Sequence, residues 1–291
     1  MIKIVTDSSA DLPAPTAQEL GISVVPLYVR FGDEVYRERA DLTDEEFYQK
    51  LLQGTVHPVT IQPNPQDFAE VYQKLSEEAD AIVSIHISSK LSGTLNSALQ
   101  AKKMIASRCP IEVVNSQTVT LALGLMTTAA AKAANAGKSL QQVLAVIKEA
   151  MHNTHSLVLL DTLKYLHLGG RIGKAKALLG SILNVKPMIT IRDGEVVPAG
   201  QVRSRAKGIE QLFDFVKNAT NIESLAVAYS TTFDEAQTLL QGVASIFTKG
   251  EVRLDRLDRL GTTLGVHTGP GTLIVTLRGT ISGMKQTGQE A

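Results

Sequence analysis

Residues 81–105 read AIVSIHISSKLSGTLNSALQAKKMI: an apolar, β-rich run over 81–87, a polar loop over 88–93, and a helical pattern over 94–105 with apolar Leu95, Ala98 and Leu99. A strand, a short polar turn and an amphipathic helix in succession form the repeating unit of a parallel sheet. The rhythm recurs upstream, where the short β-branched run 2–5 is broken by Thr6-Asp7-Ser8-Ser9 and a helix over 14–20 ends at Gly21. Residues 22–31 predict a second strand and Gly32-Asp33 a turn; Thr43 caps an acidic-started helix through Leu52, closed by Gly54. Asn64-Pro65-Gln66-Asp67 supplies an N-cap, a proline at the first helical position and a first-turn acid, with Thr60 in the loop just before. Downstream, 111–114 leads through Asn115-Ser116 into a long Ala-rich helix, and 140–152 predicts another.

From His155 the pattern changes. Residues 157–160 predict a strand, a helical tract holds Gly169-Gly170-Arg171, and 188–191 turns at Asp193-Gly194 into 196–202 as a hairpin. A strand over 225–229, a helix over 233–247 and strands over 252–257 and 272–277 follow. The expected fold class is α/β with two domains: an amino-terminal parallel-sheet α/β domain over 1–155 and a carboxy-terminal mixed-sheet α+β domain over 156–282. The Gly- and Gln-containing stretch 283–291 reads as a frayed tail.

Composition narrows the function. With 291 residues, 44% of them apolar, the chain can bury one large core or two ordinary ones. Its 29 basic residues balance 29 acidic ones, removing the general attraction to phosphate backbones, so no nucleic-acid partner is expected. The opening MIKIVTDSS turns polar too soon for a secretory signal, and the low-charge stretch 118–131 meets Lys132 well short of a membrane span. A cytoplasmic protein without stable membrane insertion is the expectation. Cys109 is the only cysteine, and His152 and His155 lack a third ligand, so neither a disulfide nor a metal site is expected.

Several segments carry chemistry. Residues 88–94 (SSKLSGT) put small polar groups ahead of a helix whose first N–H groups lack internal partners, a terminus that welcomes an anion. Ser92 or Thr94 acting as a helix cap is the plainer reading, and these residues alone favour it. Thr60 also precedes a helix, and ligands of parallel sheets collect outside the strands' carboxyl ends. Residues 169–174 (GGRIGK) miss phosphate-loop spacing, and Ala175 stands where Ser or Thr would hold magnesium, which rejects nucleotide binding. Arg171 reads either as a bidentate donor beside glycines or as a solvated charge. His267 lies in GVHTGPG over 265–271, read as a tight loop between strands whose glycines permit close approach. No GxSxG elbow occurs, leaving a triad of Ser92 and His267 weakly supported.

Five segments, TDSSADLP over 6–13, TIQPNPQDF over 60–68, SSKLSGTLNSA over 88–98, LKYLHLGGRIG over 163–173 and GVHTGPGTL over 265–273, together resemble the DegV family across nearly the whole chain. The resemblance implies a two-domain protein that holds a long-chain fatty acid between its domains. It implies presentation of the carboxylate to a separate fatty acid kinase subunit for acyl-phosphate formation, with an acyltransferase as a further candidate partner in phospholipid synthesis. By the family pattern Thr60 and Ser92 hold the carboxylate, Gly93 belongs to the same loop, and Arg171 and His267 lie near the head group. The chain would then be a carrier with a bound fatty acid and no cofactor, its chemistry supplied by the kinase. The alternative is a serine-dependent esterase or phosphatase acting on a lipid-like substrate through Ser92; a third reading is a protein-interaction module. Ile61 stands where the family usually has Ser, and Asn115 where it commonly has Asp.

Overall fold

Neighbouring residues Ile4 and Val5 of the first strand are both buried but belong to different apolar clusters, because successive side chains of a strand point to opposite faces and both faces here are covered. The computed structural model describes residues 1–179, 185–247 and 253–281, with 253–256 described by backbone alone. In chain order the elements are β1 (Ile2–Asp7), α1 (Ala14–Leu20), β2 (Ile22–Val25), β3 (Tyr28–Phe31), β4 (Glu34–Arg37), α2 (Asp44–Gln53), β5 (Val59–Ile61), α3 (Pro65–Ser76), β6 (Ala81–His86), α4 (Thr94–Met104), β7 (Ile111–Asn115), α5 (Thr120–Asn135) and α6 (Leu140–Asn153). They continue as β8 (Thr154–Leu159), α7 (Lys164–Leu168), β9 (Lys186–Arg192), β10 (Glu195–Val202), α8 (Arg205–Lys217), β11 (Ala219–Tyr229), α9 (Phe233–Ala244), β12 (Arg253–Arg259), α10 (Thr262–Thr268) and β13 (Leu273–Ile281).

The amino-terminal sheet is wholly parallel, in the order β2-β1-β6-β7. The carboxy-terminal sheet is mixed, in the order β10-β9-β8-β13-β11-β12, with only the β11–β12 pair parallel. The expected mixed α/β class is therefore what forms. Between the sheets lies α5, buried on almost every side. Its run of alanines explains how: small side chains let two sheets approach one helix, and Leu121, Leu123 and Met126 pack in one cluster with Ile4 and Val83 of the first sheet and Val158 and Ile274 of the second.

Four differences from the sequence reading have physical causes. Residues 22–31 are two strands in two sheets, split at Pro26, which has no N–H for a ladder; β3 instead joins β4 and β5 in a small antiparallel sheet. Residues 169–171 link α7 to a 3₁₀ turn at Gly173–Leu178 rather than lying in a helix, with Gly170 at φ 67°. Helix α8, which the sequence reading lacks, is capped by the Ser204 side chain accepting from the amide of Lys207. The stretch 265–271, expected as a loop, begins as the end of α10. The predicted tail over 283–291 lies outside the described residues.

Candidate functional site

A cavity of about 380 Å³ opens between one face of the carboxy-terminal sheet and the segments that follow β2 and β6 and precede α5, at Leu27, Ile87 and Val119. The carboxy-terminal sheet lines it with Val158, Ile189, Ile191, Val196 and Ile274, aliphatic side chains alternating along their strands toward the interior. Thr60, Ser92, Arg171 and His267 line it too, although they come from four distant parts of the chain.

Thr60 belongs to the edge strand β5, opposite Val29, and not to a loop as expected; three β-branched residues between Pro58 and Pro63 are enough to pair with β3. Its Oγ1 lies 3.0 Å from His267 Nε2. The other ring nitrogen, Nδ1, is buried without a partner. A Cβ on Gly169 would stand 2.2 Å from that nitrogen, so only glycine lets the 169–171 backbone close over the ring. Burial, then the positive charge of Arg171 and then His57, push the His267 pKa down to about 3, so the imidazole is neutral. A buried N–H without an acceptor costs more than a bare lone pair, which assigns the hydrogen to Nε2. Nε2–H then donates to Thr60 Oγ1 and leaves the threonine's own hydrogen to point elsewhere.

Ser92 lies in the turn before α4. Its Oγ accepts from the amide of Thr94 at 3.3 Å and shares a hydrogen bond with Thr94 Oγ1 at 2.8 Å. The cap expected of Ser92 or Thr94 is not formed: Gly93 occupies the N-cap position with no side chain to cap it, and Ser92 Oγ makes only a local turn bond to the first helical amide. A Cβ on Gly93 would come within 2.1 Å of the Gln62 side chain, so this glycine lets the strand carrying Thr60 approach the Ser92 turn. Arg171 spends two donors on backbone: Nε on the carbonyl of Leu91 at 3.1 Å and Nη1 on that of Gly169 at 2.8 Å. It fastens the Ser92 turn to the loop that covers His267. Asn115 fixes the same turn from the other side, accepting from the Ser89 amide and donating through Nδ2 to Ser89 Oγ at 3.0 Å. An aspartate could not make that second donation.

The sequence reading missed Thr120, Ser156 and Thr263, which add hydroxyls to the cavity wall. Thr120 holds φ at 55°, a strained value for a β-branched residue, with Oγ1 donating to buried Asp11 at 2.7 Å. No sequence signal marks it. A Ser–His–Asp array does exist, but in the core: His86 Nδ1 lies 2.9 Å from Asp7, its Nε2 lies 2.6 Å from Ser84 Oγ, and Tyr72 donates to that same oxygen. All three members of the array are fully buried and none lines the cavity. Among the described residues no group of three His, Cys, Asp or Glu side chains could hold a metal ion, and no helix is long and apolar enough to cross a membrane.

The arrangement joins an aliphatic cavity to hydroxyl donors and a guanidinium, a combination suited to an amphiphile with an anionic head. Known proteins are similar to this chain in sequence and fold. A DegV domain-containing protein of Deinococcus radiodurans is 35% identical over 281 residues, covering 95% of this chain and 98% of its own. A solved structure described as fatty acid binding of a DegV family protein from Thermus thermophilus superposes with a TM-score of 0.87 at 36% identity, covering 96% and 99% of the two chains. A stearic acid-binding protein from Eubacterium ventriosum gives 0.86 at 28% identity over 96% and 98%. The model of the DegV family of uncharacterised proteins matches residues 1–278, and the chain belongs to that family.

Proposed function

We propose that this protein binds a long-chain fatty acid, its tail among the aliphatic residues of the carboxy-terminal sheet and its carboxylate at Thr60 and Ser92. The observation that carries this reading is the cavity itself, aliphatic along the second sheet and closed by hydroxyls and Arg171. The Thermus thermophilus and Eubacterium ventriosum relatives, which bind fatty acids, support it. Each buried methylene contributes about 0.8 kcal/mol and each hydrogen bond to a charged group about 1.5–3 kcal/mol, so the tail dominates affinity and the head sets orientation. Neutral donors hold the carboxylate without neutralising it. One oxygen then remains able to attack the γ-phosphorus of ATP on a separate kinase subunit, forming an O–P bond as the bond to ADP breaks. Gly93 lets the binding loops meet, and Arg171 and His267 hold those loops in place; the chain acts as a carrier and the kinase supplies catalysis.

Organic extraction of the purified protein followed by mass spectrometry tests the reading. Fatty acid near one equivalent per chain is expected from the wild type, with marked loss in Thr60→Ala combined with Ser92→Ala. A lipid-free extract together with no uptake of added stearate would overturn it. Arg171→Ala supplied with a cognate kinase should keep lipid yet make less acyl phosphate.

A further inference from the structure

We propose that Glu38 is a positioning residue of this site, fixing the first turn of α10 so that His267, one turn on, faces Thr60. The inference rests on the carboxylate-site reading for its functional meaning but on independent geometry for its substance.

Glu38 follows β4 in a segment rich in charge, yet it is only 2% exposed. Its carboxylate accepts four hydrogen bonds. Oε1 receives the Thr262 hydroxyl at 3.0 Å and the Thr263 amide at 2.7 Å; Oε2 receives the Thr263 hydroxyl at 2.9 Å and the Ser8 hydroxyl at 2.5 Å. Next to it, Asp11 accepts from the Gly261 amide at 2.9 Å. Three successive residues at the start of α10 are thereby tied to two acids of the amino-terminal half. Apolar packing seats the helix, with Gly265 close against the Phe47 ring, and the directional bonds add a constraint on the rotation and axial position of its first turn.

That rotation matters because Thr263 and His267 are four residues apart, on one face of the helix, and both line the cavity. The helix is seven residues long, so its first turn and His267 lie only one turn apart. At that end the His267 ring must fit between Thr60 Oγ1 and Gly169, with no room for a Cβ on the latter. The groups whose charge reaches the ring are Arg171 and His57.

The test is a ¹⁵N imidazole NMR titration of the lipid-stripped protein, with His267 assigned from His267→Gln. In the wild type His267 stays neutral through pH 5. In Glu38→Ala we expect its apparent pKa to rise by more than about two units, far enough for protonation to show by pH 5, toward the ordinary 6.5 as the ring escapes its slot. Loss of a negative charge alone would lower it, so a rise reports movement. Glu38→Gln, which keeps the acceptor for the Thr263 amide, should restore the silent ring. Val275→Ala, in the opposite face of the carboxy-terminal sheet, should lower stability without unmasking it. If Glu38→Ala fails to fold, Thr262→Val removes one donor and decides in the same direction. A silent His267 in folded Glu38→Ala or Thr262→Val, or an equal rise in Val275→Ala, overturns the proposal. Retention of ¹³C-carboxyl stearate by the wild type is measured separately, so failure of lipid binding and failure of positioning are distinguishable.

Discussion

His267 donates through Nε2 to Thr60 and turns Nδ1 to the backbone at Gly169, leaving no acceptor for a second proton's N–H. Its pKa, about 3 in the folded chain against 6.5 for an ordinary imidazole, makes it an acid-sensitive residue. Between those values the unfolded chain binds a proton that the folded chain excludes. Stability therefore rises with pH across this window, is complete above 6.5, and is lost as pH falls toward 3. His57 and His155, also depressed by burial, act in the same direction. Replacing His267 with Gln isolates its share. At pH 7 the lipid-free variant should be less stable by about 1 kcal/mol for the disturbed hydrogen bond. Its urea midpoint should also fall less steeply than that of the wild type between pH 6.5 and 4. Parallel midpoint curves would remove His267 from the acid response.

Helix α5 converts a compositional feature, its alanines, into the spacing of the whole fold. Ala130 is fully buried in the cluster shared by both sheets. Ala130→Leu inserts a branched side chain where neither sheet can retreat, and should cost about 1–3 kcal/mol by urea denaturation. A neutral result would mean that α5 is loosely held. Helix α5 and its neighbours were legible in the sequence because their signals are local: the alanine run of α5, the caps at Thr43 and Asn64 and the β6–α4 unit all lie within short windows. Helix α10 was not, since GVHT and its flanking threonines have poor helix propensity and the helix is held by Glu38 from far along the chain. Glu38 itself, among Arg37, Arg39 and Asp41, reads as a solvated charge. The hydrogen bond between Thr60 and His267 spans 207 residues, so family resemblance named both residues while their contact had to come from the fold.

The proposed division into lobes 1–155 and 156–282 cuts into β8, the first strand of the carboxy-terminal sheet, and residues from both halves of the chain line the cavity. Polar links cross at both edges. Ser88 Oγ donates to the carbonyl of Gly194 at 2.8 Å and Arg171 reaches Leu91 on one side; Glu38 grips Thr262 and Thr263 on the other. Lys90 and Glu195 add an exposed ion pair of small worth. Between these edges one apolar cluster runs continuously from Ile4 through Leu123 to Ile274, so loss of either sheet strips its partner of cover. The expected consequence is joint unfolding. Hydrogen exchange followed by mass spectrometry across a urea series should show peptides from β6 and β13 losing protection at the same denaturant concentration. Leu123→Ala, at a fully buried position of α5, should lower both by the same amount, about 2–5 kcal/mol. Stearate at about 100 times its Kd should raise both by about 2.7 kcal/mol, because a ligand in a cavity lined from both halves of the chain is lost when either half opens. Protection that survives in β6 after β13 has exchanged would instead make the lobes independent folding units, and lipid would then stabilise only the lobe holding most of its contacts.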